Sequence, residues 1–441
     1  MNLFWKKLFG GLMPTAKYEK QQDDLRRDLE RYLGIEKSTE LEEYNTLFHT
    51  IKSAKFKERK KIFQNRKYKD TEEYRVSKKY DKLKISADIR HYYETLNSSE
   101  LHSYLAFKST PEFEQLGNPE KVKASEKLRN YKNFEKSAAY KNYVRFHDSY
   151  IIKEYEQLKE KVSTAEFMKL NKFWSNKHRW ETTEEYTQEQ RYYALAKNPD
   201  IVYYTKMNPN AFKKIRTQKL AFGEEFNWNT LSKSRWTFGY HYKSDTLKKD
   251  HSFANEKQAN SSGKNISVNQ GVLRISTKEE KTIASAWDAA KGFIDKEFRF
   301  SSDVMQSANE FRQKYGVFQA KIRCSGPIHH AFWLGADNKL PHINIFHFDG
   351  KLLRLGNAGK DIVDEAIIKG LNPSDFHIYT MEWTEKELIF RINNLEIYRT
   401  TSNVPREEMY LGFKSFITEK QNGSEGLLEV DWVRVYKNSE K

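Results

Sequence analysis

Four histidines lie close together in the C-terminal half of the chain: His329, His330, His342 and His347. An imidazole can move a proton near neutral pH, and its ring nitrogens bind zinc, nickel or copper. These residues form no H-x-H or H-x-x-x-H pair, and no carboxylate stands where it would orient them. We therefore expect neutral histidines that line a cleft, with no metal site and no cofactor.

Two predicted strands must position these side chains. Apolar and polar residues alternate in PHINIFHF, which begins at Pro341, so His342 and Asn344 point the same way from a strand. The run AFWL, which begins at Ala331, predicts a second strand. The sequence leaves open whether Trp333 packs in the core or forms a platform in the cleft.

Strand-like segments recur at short spacing after residue 222, and Asn393-Asn394 stands between two of them as a hairpin turn would. Many short antiparallel strands over some 220 residues predict a two-sheet jelly roll. The predicted strands cover residues 272–276, 315–324, 331–334, 343–348, 378–383, 388–392, 396–399, 409–413 and 428–436.

Residues 220–437 resemble family 16 of the glycoside hydrolases, which contains the laminarinases and lichenases. The motifs that carry the resemblance follow the family's order: FGEEF from Phe222 with Leu231 and Trp236, GVLRI from Gly271, YGVFQAKIR from Tyr315, AFWL from Ala331, FHIYTMEW from Phe376 and EVDWVRVY from Glu429. The resemblance implies a concanavalin A-like β-sandwich with a sugar-binding cleft on its concave face. The N-terminal half has no counterpart in that family.

The resemblance also shows where this chain departs from the family. Aligned on AFWL, the family's nucleophile Glu falls on His342, its supporting Asp on Asn344 and its acid/base Glu on His347. A retaining glycosidase needs two carboxylates about 5 Å apart. His347 can move a proton, but His342 offers no anionic oxygen to an oxocarbenium-like centre. We therefore predict no catalytic residues, and a ligand-binding cleft formed by Trp333, His329, His330, His342, Asn344 and His347.

The alternative is an active endo-β-glucanase with a relocated pair of carboxylates. Asn344 and Asp349 repeat the spacing of His342 and His347, which supplies one acid and misplaces Trp333. Asp337 is also near in sequence, although no partner for it is evident.

Short helices are predicted throughout residues 38–212. A Ser or Asn that can cap a helix is followed by an apolar residue three or four places on, and then by aromatic residues at helical spacing. Helices this short must pack on one another, so the pattern predicts a repeat-like helical array with its tyrosines in the core. Lys-Tyr interleaving without a recognised motif does not favour nucleic acid as a partner. The predicted caps are Ser86, Ser98, Ser109, Ser137, Ser149, Ser163, Asn198 and Asn208.

The charge distribution and the cysteine count indicate which half of the chain is basic and which redox compartment fits. Residues 1–220 hold 46 Lys+Arg against 32 Asp+Glu, and residues 221–441 hold 31 against 29, which together give the net charge of +16. The basic character therefore belongs to the N-terminal half, where Lys and Glu are interspersed as on a solvated helical surface. The single cysteine, Cys324, excludes an intramolecular disulfide and fits a reducing compartment.

The first thirteen residues, MNLFWKKLFGGLM, are apolar but interrupted by two lysines. A signal peptide has its charge first and a longer apolar run, and no segment of the chain reaches the ~20 apolar residues that span a bilayer. We expect a terminal arm; an interfacial or docking helix with Leu3, Phe4, Leu8 and Phe9 on one face is the alternative. Secretion is not supported, and we expect a cytoplasmic protein or part of an intracellular or viral assembly.

Together these features predict an α+β multidomain protein: an N-terminal arm or helix (1–36), an all-α array of short helices (37–219) and a β-sandwich (220–441). We expect the sandwich to be a non-catalytic, carbohydrate-binding or structural module. Its expected ligand is a β-glucan or another glycan. A protein assembly is the expected partner of residues 1–219.

Overall fold

A computed structural model of the chain describes Leu3 and residues 9–228, 230–232, 234–243, 247–337, 340–359 and 363–438. The chain divides into two compact units. Gly34–Met207 form the helical unit, and Met1–Leu33 with Asn208–Lys441 form the sandwich unit. The N-terminal segment therefore belongs with the β-sandwich, whereas the sequence predicted a separate arm of residues 1–36 and a sandwich that starts at residue 220.

The helices are mostly two to four turns long, as the capping pattern predicts. In chain order the α-helices are α1 (Thr15–Glu36), α2 (Thr39–Lys52), α3 (Ala54–Asn65), α4 (Glu72–Lys84), α5 (Ala87–Leu96), α6 (Ser99–Lys108), α7 (Pro119–Ala124), α8 (Glu126–Lys136), α9 (Ala138–Phe146), α10 (Tyr150–Ser163), α11 (Ala165–Ser175), α12 (Glu184–Ala196), α13 (Pro199–Lys206) and α14 (Lys213–Arg216). Short 3-10 helices cover Tyr68–Asp70, Pro111–Gly117, Arg179–Thr182 and Pro209–Phe212.

Most of the predicted caps begin helices. The hydroxyl of Ser98 accepts from the N–H of Leu101, and Ser137 and Ser149 act in the same way on α9 and α10. Asn198 and Asn208 accept from N–H groups two residues ahead of them. Each such bond satisfies a backbone donor that has no partner inside the helix.

Three predicted caps differ from the structure. Ser86 precedes α5 without a side-chain capping bond. Ser163 is the last residue of α10, and its neighbour Thr164 caps α11 instead. Ser109 ends α6, and its hydroxyl donates to the carbonyl of Ala106. A Ser-Thr pair offers two cap candidates, and the position of the preceding helix end decides between them.

The core of the helical unit consists of small aromatic clusters, so the tyrosines pack inward as predicted. Tyr92 and Tyr143 are buried and stack with their ring centroids 5.8 Å apart. Tyr104, which is 1% exposed, packs in a second cluster with Phe107 and Leu128. Short helices gain most of their stability from such contacts rather than from their own propensity.

The sandwich unit has two antiparallel-rich sheets. Its strands are β1 (Gln218–Glu224), β2 (Thr237–Phe238), β3 (Ser252–Phe253), β4 (Gln258–Asn260), β5 (Ile266–Asn269), β6 (Val272–Asp288), β7 (Gly292–Ser302), β8 (Val304–Gln306), β9 (Gly316–Ser325), β10 (His329–Gly335), β11 (His342–Asp349), β12 (Leu353–Ala358), β13 (Val363–Ile368), β14 (His377–Trp383), β15 (Leu388–Ile392), β16 (Leu395–Thr400), β17 (Tyr410–Phe416) and β18 (Gly426–Asn438). Every predicted strand is present, and β7, β12 and β13 are among those the sequence missed.

The strand order places the cleft strands at the centre of one sheet. This smaller sheet runs β13-β12-β11-β10-β17-β8-β2, and the larger sheet runs β16-β15-β14-β9-β18-β6-β7-β4 with β1, β3 and β5 paired off that path. The core lies between the sheets, where Phe346 of the smaller sheet meets Tyr379 of the larger one with ring centroids 4.7 Å apart. The turn at Asn393-Asn394 joins β15 to β16, as predicted.

The N-terminal segment is part of this unit because it fills the sandwich core. Leu3 and Leu12 are buried in the main apolar cluster. The N–H of Met13 donates to Oδ1 of Asn394 at 2.8 Å, and the amide of Asn393 donates to the carbonyl of Met13 at 2.8 Å. The described residues at the start of the predicted terminal arm therefore pack in the sandwich core.

The alternative of an amphipathic terminal helix receives no support from its described members. Leu3 is buried, Phe9 is 78% exposed, and Phe4 and Leu8 lie outside the described residues. Among the described helices, none combines the length and the apolar character that a bilayer span requires.

Candidate functional site

The central strands of the smaller sheet form the floor of a cavity of about 1,110 Å³. Strands β10, β11 and β17 contribute alternate side chains to the open face of the sheet, as the period of two in a strand requires. The floor side chains are Ala331, Trp333, His342, Asn344, His347, Tyr410, Lys414 and Phe416.

A β-bulge in β11 brings the three candidate positions onto this one face. Trp333 pairs with Asn344, whereas Phe332 pairs with Phe346, so Ile345 is an extra residue between the two pairs. Ile345 and Phe346 are both buried on the core side. In a regular strand His347, five residues after His342, would point away from the cavity. The bulge turns it back.

His342 and Asn344 form a hydrogen-bonded pair on the floor. Nε2–H of His342 donates to Oδ1 of Asn344 at 2.9 Å, which leaves Nδ1 of the imidazole as an acceptor. Burial holds the pKa of His342 below its ordinary value, and the nearby ammonium of Lys414 lowers it further against the opposing hydrogen bond from Asn344. His342 is therefore neutral at pH 7.

Trp333 combines the two roles that the sequence left open, because it lines the cavity floor and also packs in an apolar cluster with Val304 and Ala308. Its indole is 7% exposed, stacks on the ring of His342 with centroids 5.5 Å apart, and lines the cavity. The indole fits there because Gly412 on the neighbouring strand has no side chain. A Cβ at Gly412 would lie 2.4 Å from the ring. A side chain at that glycine would displace the indole.

His329 and His347 share a hydrogen bond of 2.9 Å between Nδ1 and Nε2. His347 lines the cavity, whereas His329, which was also predicted as a cleft residue, is not among the lining side chains and lies behind His347. Both rings also stack on Phe416. Burial, together with the neighbouring His329, lowers the pKa of His347 to about 3. Burial likewise lowers the pKa of His329. The pair is therefore uncharged near neutrality and can bind a ligand only through neutral nitrogens.

His330, predicted as a cleft residue, faces the other side of the sheet. It is fully buried, Nε2–H donates to the carbonyl of Ser325 at 3.0 Å, and Nδ1 accepts from the hydroxyl of Ser415 at 2.8 Å. Burial lowers its pKa to about 4. Successive residues of a strand point to opposite faces, so His329 and His330 do not share the cavity.

The carboxylates considered for a relocated pair are engaged elsewhere. Asp349 accepts from the N–H groups of Lys351 and Leu352 and pairs with Arg354 at 2.8 Å. Asp337 lines the cavity, where Arg312 lies 2.5 Å and Lys243 3.2 Å from its oxygens. Although both carboxyls are partly desolvated, these cations and hydrogen bonds hold both pKa values below the ordinary range.

A buried ion pair that the sequence analysis missed lies beside the histidines. Nζ of Lys414 donates to Oε1 of Glu256 at 2.6 Å and also to the hydroxyl of Tyr240. The ammonium sits over the ring of Phe416, 4.4 Å from its centroid. Strand alternation from Tyr410 would have put Lys414 on the cavity face, but nothing in the sequence links it to Glu256.

Across the part of the chain that the structure describes, no group of three or more His, Cys, Asp or Glu side chains is arranged to hold a metal ion. The floor instead offers neutral imidazoles, an amide and an indole. These groups can hydrogen-bond and stack on a polar ligand, but they supply no anionic nucleophile.

Comparison with known proteins gives one curated relative and a set of solved structures. No protein-family model matches the chain. Endo-1,3-1,4-beta-glycanase ExsH of Rhizobium meliloti (strain 1021) is 28% identical over 160 residues, which are 33% of this chain and 32% of the relative. The chain thus spans about a third of the length of that relative.

Several of the similar solved structures are β-glucanases. The catalytic domain of an endo-1,3-beta-glucanase (laminarinase) from Thermotoga petrophila RKU-1 matches 51% of this chain and 99% of its own, at 17% identity and a TM-score of 0.41. SCLam, a non-specific endo-beta-1,3(4)-glucanase from family GH16, matches 50% and 92%, at 20% identity and a TM-score of 0.41. The C-terminal half of the chain resembles the glycoside hydrolases of family 16.

Proposed function

We propose that the sandwich unit binds a glycan in its cavity and does not hydrolyse it. The observation that carries this proposal is the floor of the cavity: two neutral imidazoles and an amide occupy the positions where the resemblance implies three acids. The shape of a sugar-binding cleft is present without the charge that the reaction uses.

Hydrolysis with retention needs one carboxylate to form a glycosyl ester and a second to shuttle the proton. His342 is neutral and cannot stabilise an oxocarbenium-like centre, and protonating it would add a repulsive charge. His347 keeps its neutral form far below pH 7, so it is a poor general acid. The described carboxylate on the cavity wall, Asp337, is held by two cations.

The side chains on the cavity floor are, in contrast, suited to binding a sugar. Nδ1 of His342 can accept from a sugar hydroxyl, the amide of Asn344 can donate to one, and the indole of Trp333 offers an apolar surface to the C–H face of a pyranose. The similarity to a glycanase named for 1,3-1,4-β-linkages makes laminari- and mixed-linkage oligosaccharides the first ligands to test.

The test measures turnover and binding on the same preparation. Incubation with laminarin and lichenan is expected to release no reducing ends, while calorimetry with laminaritriose is expected to show binding. His342→Ala and Asn344→Ala should each weaken that binding about tenfold, as the loss of a buried hydrogen bond to a ligand does. Lys351→Ala, in the exposed turn after β11, is the matched control and should bind as the wild type does.

Two results would contradict the proposal. Turnover that disappears in Asp337→Asn or Asp349→Asn would establish a hydrolase with relocated carboxylates. The absence of both turnover and binding would leave the sandwich with a structural role.

We also propose that the helical unit docks the chain to a protein assembly inside a cell or virus particle. Its surface carries exposed apolar side chains, among them Tyr150 at 78% and Val144 at 56% exposure, which a partner would cover. Affinity purification of the full chain should co-purify one stoichiometric partner, and Tyr150→Asp with Val144→Asp should release it. Retention of the partner by that double variant would contradict this docking surface.

A further inference from the structure

Three aromatic residues from three paired strands form one wall of the cavity. Phe253 of β3 pairs with Trp287 of β6, and Trp287 pairs with Phe293 of β7. Directly paired residues point to the same face of a sheet, so the three rings stand side by side. The rings of Trp287 and Phe293 lie 4.9 Å apart, and Trp287 is 37% exposed although it is large and apolar. We call these three residues the aromatic wall.

Aliphatic side chains continue this surface. Leu247 and Leu340, which are 36% and 38% exposed, line the same cavity together with Ala254 and Ala289. Exposed apolar side chains that converge on one concavity mark a binding surface rather than chance exposure.

Several of the polar groups next to the aromatic wall are already engaged. Nδ1–H of His251 donates to the carbonyl of Ser252 at 3.1 Å, so Nε2 accepts from the hydroxyl of Tyr242 at 2.8 Å. The hydroxyl of Tyr240 accepts from Lys414. Asn255 also borders this end of the cavity. A sugar ring here would find few partners for the hydroxyls around its rim, and unpaired polar groups are costly to bury.

We propose that the aromatic wall binds an apolar alkyl or acyl substituent of the glycan whose sugar lies on the His342–Asn344 floor. The cavity, at about 1,110 Å³, exceeds the range of about 300–1,000 Å³ usual for small-molecule sites, so it has room for both parts of such a ligand. The polar floor and the apolar wall belong to one continuous cavity, which matches a glycoconjugate rather than two separate ligands. This inference rests on the proposed glycan binding.

Calorimetry on the full chain with a matched pair of ligands tests the inference. Laminaritriose and octyl β-laminaritrioside, the latter below its micellar concentration, differ only in the alkyl chain. Each buried methylene is worth about fourfold in affinity, so the octyl derivative should bind at least tenfold more tightly. Octyl β-maltotrioside controls for binding through the alkyl chain alone and should bind more weakly than octyl β-laminaritrioside.

Substitutions test whether the gain in affinity from the octyl chain comes from the aromatic wall and its neighbours. Trp287→Ala and Leu247→Ser should remove most of the gain from the octyl chain and leave the affinity for laminaritriose unchanged. Ile283→Ser is the matched control, because Ile283 lies on β6 with Trp287 and is 73% exposed but does not line the cavity. It should leave the affinities for both ligands unchanged.

The outcomes separate the two proposals. Equal affinities for the two ligands, with laminaritriose bound, would overturn the apolar site and leave glycan binding standing. A parallel loss of both affinities in Trp287→Ala would show that the wall stacks on sugar, which also overturns the inference. Failure of both ligands to bind would overturn glycan binding and the apolar site together.

Discussion

The two faces of strands β10, β11 and β17 follow different chemical rules. On the core face, Phe332 stacks on Phe413 with ring centroids 4.8 Å apart, and Phe346 packs against the opposite sheet. On the cavity face, the same strands carry imidazoles, an amide, an indole and a lysine. The side chains of the core face therefore stabilise the fold. Those of the cavity face can be substituted without loss of core packing, as long as each buried polar group keeps a hydrogen-bond partner.

This comparison explains how a hydrolase-like sandwich can persist without the acids of a hydrolase. Exchanging a carboxylate for an imidazole on the open face removes no apolar contact from the core. The bulge at Ile345 is set by backbone pairing, so it presents positions 342, 344 and 347 to the cavity whatever side chains they carry.

The largest effect is expected when acids are placed at the three cavity positions. If the cavity face alone decides the reaction, His342→Glu with Asn344→Asp and His347→Glu should raise laminarin hydrolysis by about a hundredfold or more over the wild type. Reducing-end assays at pH 5–7 measure the change. The isosteric control, Gln at 342 and 347, should stay inactive. A triple variant that folds, binds laminaritriose and gains no turnover would show that these three positions alone do not decide the reaction.

On the core face, truncation should cost stability rather than function. Phe332→Ala removes a fully buried ring and should lower the free energy of unfolding by about 3–5 kcal/mol. Asn344→Ala, one strand away on the cavity face, should lower it by about 1 kcal/mol. Urea unfolding followed by tryptophan fluorescence measures both. Equal losses of unfolding free energy in the two variants would contradict the idea that the core face contributes more to stability than the cavity face.

On the cavity face, the buried ion pair of Lys414 and Glu256 is expected to contribute to stability as well. Lys414→Met leaves a buried carboxylate without its cation and should cost about 3 kcal/mol. Adding Glu256→Gln removes that charge and should recover a large part of the loss. A double variant no more stable than Lys414→Met would mean that the aromatic contacts of the lysine, not its charge, are what the sandwich uses.

A smaller effect, the pH dependence of stability, should be shared by the two faces. His330 and His347 have folded-state pKa values of about 4 and about 3, below the ordinary value for histidine. Their neutral forms stabilise the fold fully above pH ~6.5, and this stability is lost as the pH falls towards the folded-state values, because the unfolded chain binds the protons first. Each histidine should add about 1 kcal/mol to the loss between pH 6.5 and 5.5, because the unfolded histidine is only partly protonated in that range.

Unfolding at pH 7.5, 6.5 and 5.5 measures this slope. His347→Gln should reduce the pH dependence of the unfolding free energy by the contribution of one histidine. His330→Gln, on the opposite face of the sheet, should reduce it by a similar amount. Glu19 and Asp349 have pKa values below the ordinary carboxyl range, so their contributions are lost only at lower pH. A slope unchanged in both variants would mean that these imidazoles titrate normally in the folded chain.

Sequence reasoning predicted the strands of the sandwich well because period-two alternation and turn residues are local signals. The same alternation placed His342 and Asn344 on one face. It also argues against His329 and His330 sharing the cavity, and the prediction that grouped them was wrong for His330 for that reason. The sequence did not predict that Leu3 and Leu12 fill the sandwich core, because the residues they pack against are distant along the chain.

The amino-acid sequence alone shows that positions 342, 344 and 347 carry no acids, since residue identity requires no fold to be known. The resemblance also implied that His347 joins the other two, and the tertiary structure supplies the reason, which is a bulge between paired strands. The structure likewise supplies the burial that keeps the imidazoles neutral, and it alone shows that Lys414 meets Glu256 and that Phe253, Trp287 and Phe293 form one wall. Those properties arise from desolvation and from contacts between distant parts of the chain, which local sequence patterns do not encode.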